Sequence, residues 1–260
     1  FALGLLIWPG VDWVYLILPH YGVLLAGVPL LRRIPTRWLL PAAGLAFAIP
    51  SVVVATVAEN RLRAGRQPDA WGDAFDVAGL FRHLFWTGGY PLVGWTGFVL
   101  VGLWVARRRL PVRRVQVRML TGAALVALAQ PILAVLDGSA GWTAALFDGV
   151  SHSNRLAWYV LSSATAVGVL ALCLLATAAQ VPRWRTSFAR LGQCALSAYL
   201  AHLAIGELWV WEWRIEDHPV MPAQLVVAGA VIAGLTMLAT LWRARFARGP
   251  IEAALRWASG

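Results

Sequence analysis

The residues of this chain that could do chemistry are few, and most stand inside or beside long apolar runs. An ionisable side chain within a membrane span is expensive to bury, so it is a functional candidate by default. Four places meet that test or come close: His20; His202 with Glu207; the group His152, Asn154 and Arg155 in SHSNR; and the shoulder Arg82, His83 and Tyr90. A histidine, an amide and a guanidinium side by side supply a base, an orienting group and an anion-binding fork, a workable kit for acyl transfer. The same residues also suit an ordinary loop anchored at a membrane interface. His20 follows Pro19, which has no N–H for the helical ladder, so a neutral imidazole has a structural use there, bonding the carbonyl that Pro19 leaves free. On the apolar run near 194–211, helical spacing sets Gln193, Ser197 and Glu207 on one arc and Tyr199 and His202 on another. A helix with polar groups on two faces is surrounded by protein or lines a cavity.

The elements that position these groups are read from hydropathy. Sixty per cent apolar residues, 13% charged residues and a mean hydropathy of +0.67 lie outside the range of soluble domains, which carry about 25% charged residues. The expected fold is all-α, a polytopic transmembrane helical bundle in a single integral domain over 1–260. Seven complete spans are expected at about 12–31, 38–58, 90–106, 119–136, 156–179, 194–211 and 223–242. The apolar run 1–8 reads as the end of an earlier span, so further spans are expected to precede the chain. The organising stretch is 82–109, where Gly88 and Gly89 allow a sharp turn, Tyr90 and Pro91 open a helix, and three arginines close it. A short amphipathic piece at 77–85, too short to span, is expected to lie at the interface.

Charge sets the orientation. Alternate connections at 32–37, 107–118, 183–190 and the tail from 243 hold sixteen arginines and one acid, Glu252; the opposite connections hold six arginines and ten acids, with Glu207 left out. By the positive-inside rule the arginine-rich loops and C-terminal tail are cytoplasmic, and the membrane is the plasma membrane. The net charge of +10 therefore reads as topology, and nucleic acid is not an expected partner. Cys173 and Cys194 stand in apolar runs without metal-ligand spacing, so no metal is expected. There is no Walker loop, GxSxG elbow, HExxH or dinucleotide fingerprint. Gly94, Gly97 and Gly102 read as a helix contact.

Several stretches together carry a resemblance: GGYPLVGWTGFVLVGLWVAR, the loop SHS before a Ser/Thr-containing span, RLGQCALSAYLAH and the terminal RGPIEAALRW. They resemble the YeiB-like membrane proteins of the DUF418 type, which are similar to the heparan-alpha-glucosaminide N-acetyltransferases and the wider transmembrane acyltransferases. The resemblance implies a helical bundle that takes an acyl group from a cytoplasmic donor, typically acetyl-CoA as co-substrate with no bound cofactor, to an acceptor on the outer side. His152 looks like the family's outer-loop histidine pattern, and Tyr90 with Pro91 resembles its span-opening pattern. The family also carries N-terminal spans with a histidine linked to acetyl transfer, a region not present in this sequence.

The expectation is thus a membrane-embedded acyltransferase acting on a sugar or lipid-linked cell-envelope acceptor. His152, Asn154 and Arg155 are the catalytic candidates. His20, Tyr90, Tyr199, His202 and Glu207 are the substrate path, and Arg107, Arg108 and Arg113 are the donor-binding group. Expected partners are the lipid bilayer, the envelope acceptor and, for the oligomer, a homodimer. Two other classes remain open: a transporter or proton-coupled carrier using the intramembrane His and Glu residues, and a non-catalytic membrane partner.

Overall fold

The computed structural model of the chain describes residues 17–63, 81, 83–87, 89–136, 153–177, 183–213 and 221–258. His152, Arg82 and the apolar run 1–8 lie outside these residues, as does most of the two long polar loops. All regular structure among the described residues is helical, as sequences that must satisfy their backbone groups within one segment require in lipid.

The first compact unit contains α1 (Leu18–Leu31), α2 (Thr36–Arg63), α3 (Leu92–Ala106), α4 (Arg113–Leu136) and α5 (Leu156–Thr177). Pro19 stands in the first turn of α1, where its missing N–H costs nothing, and the expected start of this span, 12–16, lies outside the described residues. Pro91 directly precedes α3 and its carbonyl accepts the first helical bond, from the N–H of Trp95 at 2.9 Å. α2 runs through Pro41 and Pro50. The hydroxyl of Ser51 donates to the carbonyl of Phe47 at 2.7 Å, one of the local bonds by which a Ser settles into a helix with no water to meet it.

α2 packs along α3, α4 packs along α5, and α3 also meets α1 and α5. The core is Leu39, Ala43, Phe47, Leu100, Trp158 and Tyr159, with Phe47 stacked on Tyr159 at a centroid separation of 4.9 Å. Two of the three glycines expected at a helix contact are used in that way. A Cβ on Gly94 would strike the Tyr159 hydroxyl and one on Gly97 would strike the Phe47 ring, whereas nothing lies within 4 Å of a Cβ on Gly102. A smaller cluster, Val105, Met119 and Ala171, closes the other end.

The second unit holds α6 (Arg183–Gln193), α7 (Ala195–Trp213), α8 (Met221–Arg245) and α9 (Pro250–Ala258). α6 and α9 occupy stretches that hydropathy reads as a basic loop and a basic tail. Their apolar and charged residues lie on opposite faces, so they average out along the sequence and only helical folding separates them. The helix breaks at Cys194, so Gln193 ends α6 and Ser197 lies in the first turn of α7, and the two do not share an arc of one helix.

Among the described residues, three helices are long and apolar enough to cross a membrane, over Thr36–Val53, Leu156–Thr177 and Leu225–Arg245, and His20–Leu31 and Leu92–Ala106 are apolar but shorter. Their outward faces carry Leu45, Val169, Leu172, Leu225 and Val226, each exposed, and α4 likewise exposes Leu125 and Leu128. Such a surface is suited to lipid and costly in water.

Candidate functional site

At one end of the first unit, residues 153–155 lead into α5. Asn154 has φ 54°, a left-handed conformation that Asn tolerates because its short amide can bond locally. It is buried, at 7% exposure. Its Oδ1 accepts from the Tyr159 hydroxyl at 3.2 Å and its Nδ2 donates to the carbonyl of Gly89 at 3.4 Å. Its own carbonyl accepts from the Ser51 hydroxyl at 3.4 Å. One side chain and one carbonyl thus tie α2, the turn before α3, and α5 together.

Tyr90 follows that turn. Its ring meets His20 edge-on at 5.6 Å and Trp95 at 4.9 Å. Trp95 in turn contacts Tyr21, Phe98 and Trp158. The structure therefore sets His20 of α1 against Tyr90, and Asn154, just before α5, against Gly89, the residue next to Tyr90 in the turn before α3. Arg155 is half-buried and its carbonyl accepts the first bond of α5, from Tyr159 at 3.0 Å.

The opposite end of the same unit is formed by the connections 32–35 and 107–112. Arg107 donates to the carbonyls of Ile34 at 2.7 Å and Arg32 at 2.6 Å and to the Thr36 hydroxyl at 3.1 Å. It clamps one connection onto the other. Arg108 lies over the Trp104 ring at 3.9 Å, a cation–π contact. Gln116 fixes the loop from inside, its Nε2 donating to the carbonyl of Leu110 at 2.8 Å. Arg113 is exposed on the first turn of α4. The fifteen residues of α3 separate this basic end from Tyr90 by about 22 Å at about 1.5 Å per residue.

Tyr199, His202 and Glu207 stand on α7 in the second unit, where Tyr199 meets His202 edge-on at 5.1 Å. Below them is a group that sequence reasoning passed over. Glu252, in the first turn of α9, accepts the N–H groups of Leu196 at 2.8 Å and Ser197 at 3.1 Å and the hydroxyl of Ser197. In return the Ser197 oxygen accepts the N–H of Ile251 at 3.0 Å. Each helix caps the other, satisfying N–H groups that a helix start leaves bare. Burial pushes the Glu252 carboxyl up, but the Ser197 hydroxyl and the backbone N–H groups of Glu252, Ser197 and Leu196 outweigh it and hold the group below its ordinary value. Gly249 is required here, since a Cβ would strike the Glu252 carboxylate. Arg243 completes the group, its Nε donating to Gln193 Oε1 at 2.8 Å. The signal was present in GPIE: proline at the first helical position and an acid two residues later announce a helix start.

Among the described residues no three His, Cys, Asp or Glu side chains are grouped to hold a metal ion. Compared with known proteins, residues 103–260 match the family model described as a protein of unknown function, DUF418. No curated protein and no solved structure matches the chain. The match covers more than half of the sequence, from within α3 through α9, and includes the Ser197–Glu252 cap, so the chain belongs to the DUF418 family.

Proposed function

We propose that this protein is a membrane-embedded acyltransferase. It takes an acyl group, acetyl in the first instance, from a CoA thioester at its arginine-rich end and delivers it to a sugar or lipid-linked envelope acceptor at its polar end. The supporting observation is that a single helical unit has two chemically different ends: Arg107, Arg108 and Arg113 at one, and His20, Tyr90 and the buried Asn154 at the other. With the arginines facing the cytoplasm of a plasma membrane, the polar end meets the envelope.

In this reading Arg107 holds the loop, and Arg108 and Arg113 meet the donor's phosphates. His152, two residues before Asn154, takes the proton of the acceptor hydroxyl or amine as its heteroatom bonds to the acyl carbon. The C–S bond breaks, and the departing CoA thiolate takes up the proton that His152 received from the acceptor, which returns the imidazole to its neutral form. Asn154 fixes the segment that carries this base, and Arg155 stabilises charge developing on the acyl oxygen. Tyr199, His202 and Glu207 are polar groups for the substrate path.

The test is transfer of label from acetyl-CoA to the envelope fraction in membranes containing the unaltered protein, the His152→Ala variant, or neither. Label appearing with the unaltered protein and lost in His152→Ala is the expected result. No label above empty membranes, with the protein inserted and intact, overturns acyl transfer. It would favour a carrier in which His20, His202 and Glu207 relay protons, measurable as uptake driven by a proton gradient.

A further inference from the structure

We infer that α9, with the arginines that flank it, is an interfacial helix that docks on the anionic headgroups of the leaflet at the arginine-rich side. Three observations carry this, all within the second unit and none involving the proposed transfer reaction.

Position comes first. α8 is apolar enough to cross a membrane up to Arg245, and α9 begins at Pro250 after a connection of four residues. Four residues reach at most about 14 Å, so α9 cannot leave the level at which the span ends. The connection is also fixed. Trp242 Nε1 donates to the carbonyl of Arg248 at 2.7 Å, Arg243 Nη1 donates to the carbonyl of Phe246 at 2.9 Å, and the mutual cap of Ser197 and Glu252 ties α9 to the start of α7. A helix held this firmly presents one face with little loss of freedom on binding.

The face itself is the second observation. At helical spacing Ile251, Ala254, Leu255 and Ala258 fall on one arc, Arg256 falls opposite, and Trp257 flanks the apolar arc. None of the described residues of α9 is buried; Leu255 is 46% and Trp257 88% exposed. An exposed tryptophan beside an aliphatic face is the composition of helices that lie in a headgroup layer.

Charge is the third. Arg245 at the end of α8, Arg248 in the connection and Arg256 on the side of α9 away from its apolar arc are all exposed, and Glu252, the one acid from 243 to 258, has its carboxylate turned to the α7 cap. The field left around the helix is positive, and an apolar, aromatic-flanked face within that field and beside a membrane span complements anionic lipid.

The experiment uses the whole protein in nanodiscs of phosphatidylcholine alone or of equal phosphatidylcholine and phosphatidylglycerol, read by amide hydrogen exchange of the segment 250–258. Exchange is expected to slow about tenfold with phosphatidylglycerol. The slowing should disappear at high salt and in the combined variant Arg245→Gln, Arg248→Gln, Arg256→Gln, while exchange at 195–200 reports that the cap is intact. Equal exchange in the two lipids overturns the inference, as does protection that follows the number of protein copies per disc, which would assign the face to a second copy of the chain. The lipid comparison uses the unaltered protein and so does not depend on the variant folding.

Discussion

Small differences between similar residues decide how the first unit packs. Gly97 and Gly102 lie on the same helix, yet a side chain at Gly97 would enter the Phe47 ring and one at Gly102 would meet open space. Gly97→Ala is expected to lower stability by about 1–3 kcal/mol, while Gly102→Ala raises it by about 0.5–1 kcal/mol through helix propensity alone. Thermal unfolding of the two variants in detergent checks the contrast. At Asn154, conformation and bonding can be separated. Asn154→Gly keeps the left-handed backbone and loses the bonds to Gly89 and Tyr159. Asn154→Ala loses the same bonds and adds strain, so it should be the less stable variant by about 1 kcal/mol. Equal melting temperatures would mean that the backbone conformation is not retained.

Among the elements, the join of α7 and α9 depends on one carboxylate. Its folded value is held below the ordinary carboxylate range, so its contribution is complete above the unfolded value of about 4.3 and is lost as pH falls through the lowered folded value. The protection of amides 250–258 in the unaltered protein, taken as exchange relative to the intrinsic rate at each pH, should therefore fall as the solution is acidified through that range. Glu252→Gln retains an acceptor for the N–H groups of Leu196 and Ser197 but has no charge to titrate. It should exchange faster at neutral pH and show no acid step. Glu252→Ala removes the acceptors as well and should exchange faster still. A Gln variant with the same acid step as the parent would assign that step to another group.

For the whole molecule the testable quantity is which way it lies in the membrane. Phe81 is exposed near the turn before α3, and Arg109 is exposed in the connection after it. In a background with Cys173→Ala and Cys194→Ala, cells carrying Phe81→Cys should react with an impermeant maleimide added from outside, and cells carrying Arg109→Cys should react only after lysis. The opposite pattern would reverse the proposed direction of acyl transfer, since donor and acceptor ends would exchange sides.

The sequence by itself determined the helical class and the approximate place of the apolar helices, because burial in lipid demands long uncharged runs and Pro and Gly mark their starts. It also marked His20, Tyr90 and Asn154 as polar groups worth notice. It could not show what they meet: they are far apart in the chain, and only the packing of α1, α3 and α5 brings Tyr90 against His20 and Asn154 against Gly89. The same holds for α6 and α9. Hydropathy averages their two faces into a polar loop and tail, and the tertiary structure separates them. The bond of Glu252 to the start of α7 turned a lone acid in a basic tail into the cap of a distant helix, since an N-terminus with bare N–H groups takes whichever acceptor the fold brings to it.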